Sequence, residues 1–114
     1  MPYIETKASV KITDEQKRRL KEEFGRAIEL IPGKSEEWLM LGFVDGMTMS
    51  FRGDMSTPAV MIEVDILGKA STADYDALTE KLTVITSNIL AVPSDRIYIK
   101  YSEYEHWGYN GFNF

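Results

Sequence analysis

Apolar residues near the N-terminus change from a strand-like to a helix-like spacing. Pro2 to Ala8 has an extended pattern with alternating residue types. Thr13 is a predicted helix start, because its hydroxyl can accept a backbone N–H and carboxylates follow it near the positive end of the helix dipole. The helix is expected to stop at Pro32-Gly33, and one apolar face consists of Leu20, Phe24, Ala27, Ile28 and Ile31.

Two extended segments are predicted after this helix. Trp38 to Val44 is a short apolar run rich in residues that favour strands. Thr48 to Phe51 is a candidate for a second, brief strand, and Arg52-Gly53-Asp54 after it is typical of a turn. The first half of the chain therefore has the order strand, helix, strand.

The second half of the chain repeats this order. Ala59 to Leu67 is predicted to be a strand, with Val60, Ile62, Val64 and Ile66 on one face and Met61, Glu63 and Asp65 on the other. A helix is predicted from about Thr72 to Val92-Pro93, with an apolar face of Tyr75, Leu78, Leu82, Ile85 and Ile89. Arg96 to Tyr101 is the last predicted strand, in which Ile97 and Ile99 face away from Tyr98 and Lys100.

The two halves follow one plan, with an offset of roughly 60 residues between helix positions such as Leu20 and Leu78. The sequence therefore predicts one α/β (α+β) domain over residues 1–114, built from two β-α-β repeats at about 2–57 and 58–114. Because such crossovers are right-handed, we expect two helices on one face of a four-stranded mixed sheet, with short additional edge strands.

The opposite face of this sheet has no predicted cover. It carries Met61, Tyr98 and half of the Trp38–Val44 run, and the chain has no further element to place on it. Association of several copies would bury these residues. The alternative is a face that is exposed to solvent.

Composition narrows the possible chemistry. A hydrophobic content of 44% with 27% charged residues is typical of a globular domain, and the apolar runs are too short to cross a membrane. The net charge of −5 argues against a nucleic-acid partner. Without cysteine, and with His106 as the single histidine, there is no thiol nucleophile and little basis for a zinc site or a Ser-His-Asp triad. The N-terminus lacks a signal-peptide pattern, so we expect a cytoplasmic protein, with secretion by another route left open.

Pro2 is a candidate catalytic base. Proline at the second position permits removal of Met1, which leaves a secondary amine at the start of a strand. Burial and a nearby positive charge both disfavour a protonated amine, so they lower its pKa toward neutrality, where it can accept a proton. Taken alone, a proline at this position is better explained by N-terminal processing.

Two other features have both a structural and a functional interpretation. Lys34 follows Gly33 at a helix end, where a cation is favourable in any protein. The stretch from Tyr101 to Phe114 is rich in aromatic residues, which suggests packing on a neighbouring subunit or the wall of an apolar pocket. His106 within this stretch is expected to be an exposed loop residue.

Six short segments together resemble the macrophage migration inhibitory factor family of the tautomerase superfamily. They occur in the family's order across essentially the whole chain: Pro2, Gly33-Lys34, Met49 to Gly53, Leu67 to Lys69, Asp95 to Ile99, and Gly108 to Phe114. Each is weak alone, but with the duplicated plan they are specific. The resemblance implies a homotrimer with an active site at each subunit interface. It also implies keto–enol tautomerisation of aromatic α-keto acids such as phenylpyruvate, without a metal or cofactor.

The same resemblance assigns roles to individual residues. Pro2 is the general base, and Lys34 holds the substrate carboxylate and helps to keep the Pro2 amine neutral. Leu67 presents its backbone N–H, while Tyr98 comes from the adjacent subunit. The positions that match an aromatic or apolar pocket are Trp38, Tyr109 and Phe114.

Departures from the family pattern leave alternatives open. Lys100 stands where the better-known members carry asparagine, which predicts a second cation that tightens binding of a dianion or shifts preference away from phenylpyruvate. Tyr109 replaces a familiar tryptophan, and the Cys-x-x-Cys of some animal members is missing. One alternative is a signalling or host-interaction protein with a host receptor as its partner. Another is a different small-acid reaction of the tautomerase superfamily.

Overall fold

Alternating burial along the first strand determines which side of the sheet faces the core. In the computed structural model, which describes residues 1–114, β1 (Pro2–Ala8) buries every second residue. The helix α1 (Asp14–Ala27) begins after Thr13, whose hydroxyl accepts the Gln16 N–H at 3.1 Å while the Gln16 side chain accepts the Thr13 N–H at 2.9 Å. This reciprocal cap fixes the predicted start of the helix.

The other elements complete the two repeats. They are β2 (Met40–Val44), β3 (Val60–Leu67), α2 (Thr72–Leu90), β4 (Ile97–Tyr104), β5 (Gly108–Tyr109) and β6 (Phe112–Asn113). Three short 3₁₀ helices lie at Ile28–Leu30, Glu36–Trp38 and Ser94–Arg96. The strands β5 and β6 pair with each other as a separate antiparallel hairpin.

The main sheet has the strand order β2-β1-β3-β4. The pairs β1–β2 and β3–β4 are parallel, as a β-α-β unit requires, and the central pair β1–β3 is antiparallel. This arrangement confirms the predicted mixed four-stranded sheet built from two β-α-β units.

Both helices pack on one face of the sheet. The buried positions of α1 and its 3₁₀ extension, and those of α2, follow the predicted apolar faces, with Leu20, Phe24, Ile28, Leu78 and Leu82 fully buried. Tyr75 is only partly buried at the margin of this core. Truncation of a fully buried side chain such as Phe24 to alanine typically costs about 3–5 kcal/mol. Neither helix combines the length and apolar character needed to span a membrane.

The face of the sheet away from the helices carries a row of charges. Lys7 lies 3.3 Å from Glu5 and 3.1 Å from Glu63, and Lys100 lies 2.9 Å from Glu63. Exposed apolar residues flank this row, among them Met40 and Tyr98. No element of the chain covers this face, as the sequence predicted.

The structure corrects the predicted strand at Thr48–Phe51. Only an isolated bridge forms there, between Phe51 and Asp54. The Phe51 carbonyl instead accepts a hydrogen bond from the buried guanidinium of Arg96 at 2.6 Å, so this segment is held as a loop.

The ends of several elements also differ from the prediction. Trp38 lies in the 3₁₀ helix before β2 because Trp38 N–H donates to the Ser35 carbonyl and Leu39 N–H to the Glu36 carbonyl. Arg96 likewise belongs to a 3₁₀ helix, and β4 continues to Tyr104.

Candidate active site

The N-terminus is held in place by the β1–β3 ladder. Pro2 pairs with Ile66, and the Met1 carbonyl accepts the Leu67 N–H at 3.0 Å. Pro2 itself is buried. Because Met1 is present, the Pro2 nitrogen is an amide here and has no basic lone pair.

Lys34 approaches the same point from the end of the first helical segment. Gly33 adopts a positive φ of 82°, which favours glycine and turns the chain after Ile31. The Lys34 ammonium donates to the Leu67 carbonyl at 2.7 Å. Three elements that are distant in sequence therefore meet at Met1, Lys34 and Leu67.

The surroundings of the terminal amine disfavour its charged form. Burial, together with the hydrogen bond and the positive charge of Lys34, lowers the pKa of the Met1 amine to about 6. The sequence argument required this environment for an amine at Pro2. In the structure this environment surrounds the Met1 amine, one residue before Pro2.

Aromatic side chains from the chain's C-terminal region form walls beside this point. The hairpin that carries them turns at Asn110-Gly111, both with positive φ, as expected for a two-residue turn of type I′. Trp38 and Tyr109 meet edge to face at 5.2 Å between ring centroids, and Phe114 stacks on Tyr109 at 6.0 Å. Tyr104 and Trp107 form a second edge-to-face pair at 6.0 Å.

A cavity of about 740 Å³ lies between these walls and the N-terminus. Its lining combines the first residues of β1, the segment before β2, and the C-terminal tail. The predicted residues in the lining are Pro2, Trp38 and Tyr109. Lys34 and Leu67 contact Met1 without lining the cavity, and Phe114 supports Tyr109 from outside it.

Tyr98 lies apart from this cavity within one chain, whereas Lys100 lines a smaller pocket that shares Asp65 and Tyr104 with the cavity. Tyr98 pairs with Met61, whereas Pro2 pairs with Ile66, so about five residues of β3, or roughly 17 Å, separate them along the sheet. The Tyr98 ring packs on Phe51, with centroids 4.7 Å apart. Lys100 is paired with Glu63. Tyr98 could reach a cavity of this kind only in a second copy.

Several cavity residues were missed by the sequence analysis. These are Tyr3, Glu37, Leu39, Met40 and Asp65. Tyr104, Trp107 and Gly108 also line the cavity and belong to the stretch from Tyr101 to Phe114, for which a pocket wall was one of the two expectations, and His106 is exposed as expected but also in the lining. The position of Asp65 follows from its pairing with Tyr3 in the antiparallel ladder, which a single sequence does not fix. Burial raises the pKa of Asp65, and the charge of Glu63 adds to this effect. No group of three or more His, Asp or Glu side chains is arranged to hold a metal ion.

Comparison with known proteins places the fold and the family. The family model described as macrophage migration inhibitory factor (MIF) matches residues 1–114. MIF2 of Leishmania major is similar over 100% of this chain and 97% of its own, with 29% identity and a TM-score of 0.93. The MIF homologue of Prochlorococcus marinus has 29% identity over 98% of each chain and a TM-score of 0.87.

A third solved structure shares the fold at lower identity. It is Pt0534 inactivated by 2-oxo-3-pentynoate, with 19% identity, a TM-score of 0.81, and coverage of 97% of this chain and 95% of that one. A search of curated protein sequences gave no match.

Proposed function

The chain belongs to the macrophage migration inhibitory factor family, which has the tautomerase-superfamily fold, and from this premise we propose that it is a keto–enol tautomerase. Its substrates are aromatic α-keto acids such as phenylpyruvate. Pro2 is the general base once Met1 has been removed.

The observation that carries this proposal is the contact between Met1 and Leu67. The Met1 carbonyl is the acceptor for the Leu67 N–H, so removal of Met1 leaves this donor without its partner at the edge of the cavity. An unpaired N–H in a partly buried site is unfavourable, and a substrate oxygen can replace the lost acceptor. Lys34, bonded to the Leu67 carbonyl, supplies positive charge beside the same point for the substrate carboxylate.

The secondary amine of Pro2 is then the group that transfers the proton. In ketonisation the neutral nitrogen takes the proton of the enol hydroxyl, and the resulting ammonium gives a proton to the adjacent carbon as the carbonyl forms. In enolisation the two transfers run in reverse. Lys34 favours the neutral amine and holds the anionic substrate in register with it.

The fold neighbour Pt0534 gives related support. Its structure is that of the protein inactivated by 2-oxo-3-pentynoate, which is itself an α-keto acid. A keto acid therefore reacts with one protein of this fold. For the present chain, the exposed rings of Trp38 and Tyr109 suit an aromatic substituent on such an acid.

Assembly is a further part of the proposal. We propose a homotrimer in the cytoplasm in which the charged and apolar sheet face is covered by neighbouring copies and Tyr98 of one copy reaches the cavity of another. Light scattering is expected to give about three times the chain mass of 13.0 kDa. A stable monomer would contradict the shared site.

Phenylpyruvate ketonisation tests the assignment of Pro2. With Met1 removed, we expect Pro2→Gly to lower kcat/KM by about 10²- to 10⁴-fold, the usual contribution of a positioned acid–base group. Pro93→Gly is the matched control, since Pro93 is exposed and lies beyond α2, outside the cavity lining. Equal rates for wild type and Pro2→Gly would remove Pro2 from the mechanism.

A further inference from the structure

The hairpin that carries Tyr109 turns at a chemically reactive pair of residues. These are Asn110 and Gly111, whose φ angles are 52° and 84°, and both are exposed. We propose that Asn110 is a site of spontaneous covalent modification, at which its side-chain amide is converted into aspartate and isoaspartate through a cyclic imide formed with the Gly111 nitrogen. Isoaspartate at this position removes one wall of the cavity. The modification itself is independent of the function proposed above, and only its effect on kinetics rests on that function.

The conversion needs water and no other reagent. The Gly111 backbone nitrogen bonds to the Asn110 Cγ, the bond from Cγ to the side-chain nitrogen breaks, and ammonia leaves with the proton of the Gly111 N–H. Water then hydrolyses the imide at one of its two carbonyls. One opening gives aspartate, and the other gives isoaspartate, in which the main chain runs through Cβ and is one atom longer.

The structure leaves the attacking nitrogen free. The Gly111 N–H has no backbone acceptor, because the hairpin pairs are Tyr109 with Phe112 and Gly108 with Asn113. The space around Gly111 is open, since a Cβ added there would have no atom within 4 Å. Ring closure requires rotation of the backbone away from the turn conformation, and glycine permits such rotation more readily than other residues.

The hairpin is also small enough to open easily. It consists of two residue pairs, with one further hydrogen bond from the Phe114 N–H to the Trp107 carbonyl at 3.1 Å. Phe112 beside the turn is 78% exposed, so it contributes little burial. Two-stranded hairpins are marginally stable in water, and segments with few buried contacts open at a low free-energy cost.

Isoaspartate is incompatible with the two-residue turn. A type I′ turn fixes the register of the strands on either side, and an extra main-chain atom disrupts it. Tyr109 directly precedes Asn110, and its ring meets Trp38 at 5.2 Å and stacks on Phe114 at 6.0 Å between centroids. Loss of the turn therefore displaces an aromatic side chain of the cavity lining.

Peptide mapping by mass spectrometry of the folded protein, aged in neutral buffer, tests the modification. Two other asparagines are internal controls, because Asn88 lies inside α2 before Ile89, and Asn113 lies in the same hairpin before Phe114. We expect Asn110 to exchange its amide for a carboxyl at least about 10-fold faster than either control, and within about 10-fold of its rate in the urea-unfolded chain. A smaller difference among the asparagines, or a folded-state rate more than about 10-fold below the unfolded one, would overturn the proposal.

Asn110→Gly is the matched variant for the effect on the cavity. A Gly-Gly turn keeps the type I′ geometry and has no amide to lose. In Met1-free protein, ageing is expected to raise the KM of modified wild type for phenylpyruvate about 3- to 10-fold, the usual worth of one aromatic contact, and to leave the KM of Asn110→Gly unchanged. An equal change in both proteins would show that the modification does not affect the cavity wall. If neither protein turns over phenylpyruvate, the tautomerase function fails, while the mass measurement still decides whether Asn110 is modified.

Discussion

The two ends of the central strands differ in how far their side chains are buried and hydrogen-bonded. At the end marked by Val60 and Ile97, Arg96 is only 7% exposed and donates to the carbonyls of Phe51, Asp54, Thr57 and Pro58 at 2.6–3.3 Å. At the end marked by Pro2 and Leu67, Asp65 and Glu37 have no partner and aromatic rings stay exposed. One end uses a buried guanidinium to hold a loop, whereas the other end is an open cavity between exposed aromatic rings.

Mutations at the end marked by Val60 and Ile97 should therefore lower the stability of the fold. We expect Arg96→Met to lower the free energy of unfolding by about 3 kcal/mol, because several partly buried carbonyls lose their donor at once. Urea denaturation measures this loss. Arg19→Met, at an exposed position of α1 without an ion pair, is the control and should stay within about 0.5 kcal/mol of wild type. An equally small effect of Arg96→Met would mean that the loop does not depend on this guanidinium.

Mutations at the end marked by Pro2 and Leu67 should instead change the catalytic activity. Lys34→Met is expected to raise KM for phenylpyruvate about 10- to 100-fold, the equivalent of about 1.4–2.7 kcal/mol, since a charge-assisted contact to the carboxylate is lost. Lys69→Met serves as the control, because Lys69 is exposed and outside the cavity lining. The measurement is steady-state kinetics of the Met1-free wild type, Lys34→Met and Lys69→Met. Similar KM values in these three proteins would exclude Lys34 from substrate binding.

A smaller difference between the ends should appear at acid pH. Hydrogen bonds from the Thr57 hydroxyl and from the Ser56 and Thr57 N–H groups lower the pKa of Asp54 well below its usual value. A carboxyl whose pKa is lower when folded stabilises the fold above its unfolded pKa, about 3.9, and loses this contribution as the pH falls through the folded pKa. Asp54→Asn should therefore flatten the loss of stability below about pH 4 relative to wild type. Parallel stability curves for the two proteins, measured from pH 6 to 2, would contradict this.

The smallest expected effect concerns the position of Trp38. A Cβ added at the buried Gly25 of α1 would lie 2.0 Å from the Glu36 carboxylate, whose flexible end must then move. We expect Gly25→Ala to change stability by less than about 1 kcal/mol, because helix propensity improves while this contact shifts. Displacement of the adjacent Glu36–Trp38 segment should change tryptophan fluorescence and raise KM a few-fold. An unchanged spectrum and KM would show that Gly25 does not position Trp38.

Sequence patterns predicted the periodic elements and the plan of the sheet, but they did not predict the loop between β2 and β3. The helix faces of Leu20 and Leu78 and the alternation of β3 are local, periodic signals, and both were confirmed. The loop at Thr48–Phe51 was misassigned because its conformation depends on Arg96, which lies more than 40 residues away in sequence. Such side-chain bonds to distant carbonyls leave no local pattern.

The candidate site was predictable only in part for the same reason. Pro2, Lys34 and Leu67 could be named by family resemblance, and the structure brings them together. Asp65 was missed because its position beside Tyr3 depends on strand register, which a single sequence does not fix. The roles of Tyr98 and Lys100 involve a neighbouring copy and stay predictions.

The central claim is that Pro2, freed of Met1, is an amine kept neutral beside Lys34. Its most direct test is an NMR titration of the ¹⁵N-labelled Pro2 nitrogen in the Met1-free protein. We predict a pKa clearly below that of the same terminal proline in an unfolded peptide, and a higher pKa in Lys34→Met. A peptide-like pKa that Lys34→Met does not change would contradict the account.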